Sequence, residues 1–234
     1  MPSPIRVLTA VPICDGHDSA INTINLEFIR HGIEVVYLGY HRYAKDMVRA
    51  AIQEDVGALG ISSYNGGHIE FFAEVVKQLK KNGAETIRVF GGGGGTITHA
   101  DQEIMRRRGV DKIFFAGTSL TEMVDFVRKN YARSRKLSRN ATADMKLARK
   151  LTEIEDAYAG GKRPKKKIRK QKPAIGNTKV IGFTGPGGAG KTTLIDELVL
   201  RLLQREPKSR IAILSHDPSV VGAGALLGDR ATMI

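Results

Sequence analysis

Cysteine is almost absent from the 234-residue sequence. Cys14 stands alone, so no intramolecular disulfide can form, and a reducing, cytoplasmic setting is expected. Its residue type suggests packing rather than reactivity. Long apolar runs are missing too. No segment approaches the roughly 18 consecutive apolar residues of a membrane-spanning helix, and the opening MPSPIRVLTAVPICDGHD has no signal-peptide h-region. No membrane partner is expected. Acidic residues are scarce in one region only: between Arg128 and Lys172, 17 Lys/Arg stand against 4 Asp/Glu, an excess equal to the +13 of the whole chain. The charge therefore belongs to a connector and not to a folded basic face. Within it, GGKRPKKKIRKQKP has no interleaved aromatics. It reads as a solvated linker, and no nucleic-acid partner is expected.

What the chain does have is 41% hydrophobic residues and 26 glycines, many of them in loops between short apolar runs. Residues 5–11, 34–39, 56–62, 86–91 and 112–117 are apolar without clean alternation, as in strands buried on both faces. Helical patterns lie between them. The first begins near Asp18 as an N-cap residue, and the third carries Phe72, Val75, Val76 and Leu79. This alternation predicts an α/β fold: a doubly wound parallel sheet in flavodoxin-like order over residues 1–131. Residues 132–176 form a basic linker with a weak helical pattern (Leu147, Leu151, Ile154, Tyr158). Residues 177–234 open a second α/β domain, with strands at TKVIGFTG and RIAILS flanking a helix over 192–203. A sheet of that second kind needs further βα units, so a longer protein is expected.

Gly185-Pro-Gly187-Gly188-Ala189-Gly190-Lys191-Thr192 matches G-x-x-x-x-G-K-[ST] at each fixed position, between an apolar strand pattern and an amphipathic helix pattern. Glycines let backbone N–H groups curl around phosphate oxygens, and the helix N-terminus adds partial positive charge. Lys191 can reach the β/γ-phosphates as the catalytic group, the Thr192 hydroxyl can hold Mg²⁺, and Thr193 completes the phosphate-binding run. Asp217 and Asp229 follow in HDPSVVGAGALLGDR, as further Mg²⁺-binding carboxylates or as a turn cap and a solvated loop residue.

The first strand pattern runs into Asp15-Gly16-His17, at the sheet edge where open α/β folds bind ligands. By itself the pair is compatible with a general base, a metal ligand or a structural histidine. The third strand ends in ISSYNGGH, bearing Ser62, Ser63 and a close-approach pair Gly66-Gly67, and the fourth in five glycines, 91–95. Together these loops describe a deep, empty slot for a long ligand with a metal at its mouth. His68 follows in that slot, and either a cofactor contact or helix capping suits it.

The combination resembles the cobalamin-binding domain of adenosylcobalamin-dependent mutases, whose signature is D-x-H-x-x-G, then S-x-L, then G-G. The resemblance implies that His17 is the lower cobalt ligand and that Asp15 holds its other ring nitrogen. It also implies that Ser62 and glycines among Gly91, Gly92, Gly94 and Gly95 receive the cofactor's nucleotide tail. Ala20 stands where the signature has Gly, and Tyr64 where it has Leu, re-lining the slot. A cobalamin domain, a basic linker and a P-loop domain in this order resemble the fused isobutyryl-CoA mutase family. That resemblance implies adenosylcobalamin, GTP and Mg²⁺ as cofactors, GTP hydrolysis that gates cofactor loading, and an acyl-CoA substrate bound by a C-terminal barrel absent from this sequence. A homodimer is expected for the complete protein. Another cobalamin-dependent acyl-CoA mutase, a corrinoid methyltransferase and a cobalamin carrier with GTPase activity alone stay open as alternatives.

Overall fold

The computed structural model describes residues 5–131, 137–159 and 179–214. Five strands form one parallel sheet in the order β2-β1-β3-β4-β5: β1 Arg6–Ala10, β2 Glu34–Tyr37, β3 Ala58–Ser62, β4 Arg88–Gly92 and β5 Lys112–Phe114. Helices α1 Ser19–Arg30, α2 Ala44–Gln53, α3 His68–Lys81, α4 His99–Arg107 and α5 Leu120–Asn130 fill the crossovers. Strand order reverses between β1 and β3, so the crevice at their C-terminal ends is the switch point of the doubly wound fold.

The unalternated apolar runs have their reason in two cores. Leu8, Leu59, Ile61, Val89 and Ile113 pack against α2, α3 and α4. Val7, Val35, Ala58, Phe90 and Phe114 face Phe28 of α1 and Val124 and Val127 of α5. Each fully buried Phe or Leu contributes about 2–3 kcal/mol. Phe90 stacks on Tyr131 at 5.3 Å between centroids, and its ring lies where a Cβ on Gly60 would be, 2.6 Å away. Gly60 is thus a requirement of packing.

Helix α6, Ala143–Ala159, falls in the segment that the sequence presents as connector, yet it docks on α2. The Arg149 guanidinium grips Asp55 through two 2.8 Å bonds. Arg6, at the start of β1, pairs with Glu34 at 2.6 Å and Glu155 at 2.8 Å. Met145, Ala148 and Thr152 are buried, whereas the apolar stripe Leu147, Leu151 and Ile154 faces outward. Ion pairs with the sheet domain and the packing of Met145 and Ala148, and not the Leu147–Leu151–Ile154 stripe, define the buried face.

Helix α7, Lys191–Arg205, forms as expected. The flanking segments do not: residues 179–184 and 209–214 carry no strand among the described residues. Val180 is 92% exposed and Leu214 88%, and α7 buries none of its side chains. A strand exists only by pairing with another, and none of the described strands is hydrogen-bonded to these segments.

Candidate functional site

Strand β1 ends at the switch point, and the loop that follows turns back at once, the Asp15 N–H bonding the Pro12 carbonyl at 3.0 Å. The Asp15 side chain is directed inward and is 1% exposed. Its two oxygens are shared between two loops. Oδ1 accepts the His17 backbone N–H at 3.0 Å and faces His17 Nδ1 at 2.8 Å. Oδ2 accepts the N–H groups of Tyr64 and, at 3.1 Å, Asn65 from the β3–α3 loop. Burial pushes the Asp15 carboxyl up, but the His17 and Tyr64 N–H groups, the His17 ring and the Asn65 N–H outweigh it. The group sits below its ordinary value and is an anion at neutral pH.

An ionised carboxylate only accepts, so the ring nitrogen facing it carries a proton, and in the neutral ring Nε2 then keeps its lone pair. The His17 side chain is 64% exposed, and no described protein group bonds Nε2. A buried anion therefore holds an exposed imidazole with one basic nitrogen presented outward. His41, in the loop between β2 and α2, lies beside this loop, its Nδ1 bonded to the Ile13 carbonyl at 2.9 Å and its ring 3.8 Å from where a Cβ on Gly16 would lie. Asp18 is the N-cap residue of α1 without a capping bond; its Oδ2 instead accepts from Asn22 at 3.2 Å and from the Tyr37 hydroxyl at 3.5 Å. Cys14, expected to pack, is exposed on the same loop because the turn at Pro12 directs it to solvent.

The expectation of an empty glycine slot is corrected. A Cβ on Gly91 would collide with the Ile61 carbonyl and the Phe72 ring, one on Gly92 would lie 2.6 Å from the Phe114 carbonyl oxygen, and one on Gly93 would overlap the Ser63 carbonyl. These glycines permit close backbone approach. Gly94 lies under the Tyr64 ring, at 2.6 Å from a Cβ position, and Gly95 has φ +98°. Tyr64 also packs on His17 at 4.8 Å between centroids, so one ring bridges the histidine loop and the glycine run. Ser62 is half-buried at the end of β3, opposite Gly92, and its neighbour Ser63 is buried. Gly66 and Gly67 have open space around them; Gly67 supplies φ +85° at the N-cap of α3. His68 is buried, with Nε2 3.3 Å from Asp101, a partner invisible to local spacing.

In the phosphate-type loop, Gly188 and Gly190 adopt φ +76° and +75°, conformations that favour glycine. Gly190 caps α7, placing Lys191 and Thr192 in its first turn, half-buried, and Thr193 beside them, exposed. Lys191 Nζ donates to the carbonyls of Gly185 and Pro186 at 2.9 and 2.8 Å, folding over the loop that includes Gly187 and Ala189. Asp217 and Asp229 lie outside the described residues.

A family model for the B12 binding domain matches residues 5–125. The chain belongs to the B12-binding domain family. Cobalamin is the cofactor of this family. A second model, that of the methylmalonyl-CoA mutase-associated GTPase MeaB, matches residues 147–234, the segment that holds the phosphate-type loop. The chain is similar to the fused isobutyryl-CoA mutase of Geobacillus kaustophilus, with 37% identity over 98% of this chain and 23% of that protein. It is equally similar to the one of Cupriavidus metallidurans, at 37% over 98% and 22%. The 2-hydroxyisobutanoyl-CoA mutase small subunit of Aquincola tertiaricarbonis is 33% identical over 54% of this chain and 91% of that subunit. The chain spans less than a quarter of the fused mutases it matches. As a B12-binding domain it carries its histidine loop and glycine run at the switch point, and among the described residues no helix is long and apolar enough to cross a membrane.

Proposed function

We propose that this chain is the cofactor-binding and GTPase portion of an adenosylcobalamin-dependent acyl-CoA mutase that interconverts isobutyryl-CoA and n-butyryl-CoA. The observation that carries the reading is the exposed His17 ring held through Nδ1 by the buried Asp15 anion. That donor set suits a cobalt ion, for which a neutral imidazole nitrogen with a carboxylate behind it is a good ligand. Ser62 and the glycine run would receive the nucleotide arm once the Tyr64 ring moves aside.

When bound, adenosylcobalamin supplies homolytic radical chemistry for carbon-skeleton rearrangement. The residues of this chain orient it. Asp15 fixes the ring tautomer of His17 and ties the β1–α1 loop to the β3–α3 loop, so the ligand nitrogen and the arm site move as one body. In the second unit, the glycine-rich loop and Lys191 would hold the phosphates of GTP, with Thr192, Asp217 and Asp229 as Mg²⁺ ligands, and hydrolysis would gate cofactor loading. An acyl-CoA substrate would be bound by a C-terminal barrel outside this sequence, in a homodimer, within the cytoplasm.

The test is the visible spectrum of the chain mixed with adenosylcobalamin, wild type against His17→Ala. Wild type is expected to shift the cofactor to its base-off, histidine-bound spectrum, and the variant to lose that shift. Equal affinity and an identical spectrum in the variant would refute cobalt ligation by His17.

A further inference from the structure

Three consecutive carbonyls of the β1–α1 loop are taken up by three different donors. The Pro12 carbonyl accepts the Asp15 N–H at 3.0 Å, within the loop. The Ile13 carbonyl accepts from His41 Nδ1 at 2.9 Å, from the β2–α2 loop. The Cys14 carbonyl accepts from Asn65 Nδ2 at 2.6 Å, from the β3–α3 loop. The histidine loop is thus tied to both of its neighbours, immediately ahead of Asp15 and His17.

Of the two outer ties, the one from His41 is made under strain. His41 has φ +57°, the left-handed region in which a side chain crowds the following carbonyl. That strain offsets the net worth of one solvent-exposed hydrogen bond, so the bond adds little to the stability of the fold. The path of the backbone explains the conformation. The β1–β2 ladder continues past both strands, from the Val11 N–H to the Gly39 carbonyl and from the Arg42 N–H to the Val11 carbonyl, each at 3.0 Å. Between these fixed points the chain turns left-handed at His41 and lays the imidazole on the histidine loop. With the proton on Nδ1, Nε2 is turned toward Gly16. Gly16 links Asp15 to His17 and has the widest backbone freedom of any residue type, so the ring stands against the one point where that pair could pivot.

We infer that His41 is a positioning residue for metal ligation by His17. Its Nδ1–H clamps the Ile13 carbonyl and its ring walls Gly16, so that the Asp15–His17 pair meets the cofactor in one preset geometry. Presetting lowers the ordering cost of binding. The inference rests on the cobalamin-binding reading above.

The experiment compares wild type with His41→Asn and His41→Gly in the complete chain. Both replacements accept the left-handed backbone, and only Asn keeps an N–H donor at the position of Nδ1. Amide hydrogen exchange at Asp15 and His17 is measured without ligand, and adenosylcobalamin is then titrated through its base-off, histidine-bound spectrum. His41→Gly is expected to speed exchange at both amides and to weaken binding about fivefold. Its unfolding temperature should equal that of wild type or exceed it, because strain has been removed. His41→Asn should bring exchange and affinity back to within about a factor of two of wild type. Exchange and affinity unchanged in His41→Gly would overturn the inference alone, and so would a His41→Asn protein as weak as His41→Gly. Failure of the wild type to shift the cofactor spectrum would overturn the underlying reading, whatever the variants do.

Discussion

Replacing Asp15 by Asn changes one atom of the side chain and should disarm the histidine loop. The carboxylate satisfies two donors on each oxygen: the His17 N–H and ring at Oδ1, and the Tyr64 and Asn65 N–H groups at Oδ2. A carboxamide has a single oxygen, so its NH₂ must oppose one pair of N–H donors. Hydrogen bonds to a charged group contribute about 1.5–3 kcal/mol each. Losing two, with partial relief from solvent at the exposed ring, gives an expected destabilisation of about 3 kcal/mol. If the amide turns toward the ring, His17 must accept at Nδ1 and carry its proton on Nε2, where it can no longer bind a metal. Urea unfolding measures the first effect and ¹⁵N chemical shifts of the His17 ring the second. Cobalamin affinity should fall about 10–100-fold, the usual effect of losing a carboxylate behind a metal-binding histidine. Stability within about 0.5 kcal/mol of wild type, together with a ring still protonated on Nδ1, would refute the assignment of roles within the pair.

Tyr64→Leu removes a ring that bridges His17 and Gly94. Losing an aromatic contact of about 1 kcal/mol should raise the association rate of cobalamin about fivefold in stopped-flow mixing. Gly93→Ala drives a methyl group into the Ser63 carbonyl and should cost about 3 kcal/mol or more, whereas Gly95→Ala meets only its positive φ and should cost about 1 kcal/mol in the same urea assay. Burial first, and then the nearby Asp18, raise the Tyr37 phenol to about 12. A raised value means that its stability contribution is complete below the phenol's unfolded value near 10 and disappears as pH climbs through 12. Tyr37→Phe should therefore flatten that part of the alkaline limb, and ultraviolet titration at pH 11 should show one fewer neutral phenol in the variant than in wild type, where Tyr37 and Tyr131, which burial also raises, both stay neutral.

The sheet was readable because its strands bury both faces, and a run such as Val7-Leu8-Thr9-Ala10 allows no other placement. The histidine loop was readable because Asp15 and His17 are two residues apart and their bond is local. The role of the glycine run was not, since whether glycines enclose space or admit a neighbouring backbone depends on carbonyls at Ile61, Ser63 and Phe114, on other strands. The buried face of α6 was hidden for the same reason: its anchors, Asp55 and Arg6, lie 94 and 149 residues from their partners. The strands flanking α7 fail as a reading of residue type alone, because pairing is a property of two segments and not of one. The burial of Asn25 was hidden likewise, because its partner Thr9 lies on β1, 16 residues away.

The docking of α6 also decides where the molecule can be cut. The B12-binding match ends at residue 125 and the GTPase match begins at 147, inside α6. A truncation in that gap would strand the Asp55 carboxylate without its guanidinium and uncover the apolar seat of Met145 on α2. A minimal soluble version of the first domain therefore ends beyond Glu155, and the helix that sequence families assign to the hydrolase is, in the folded protein, the last structural element of the vitamin-binding unit.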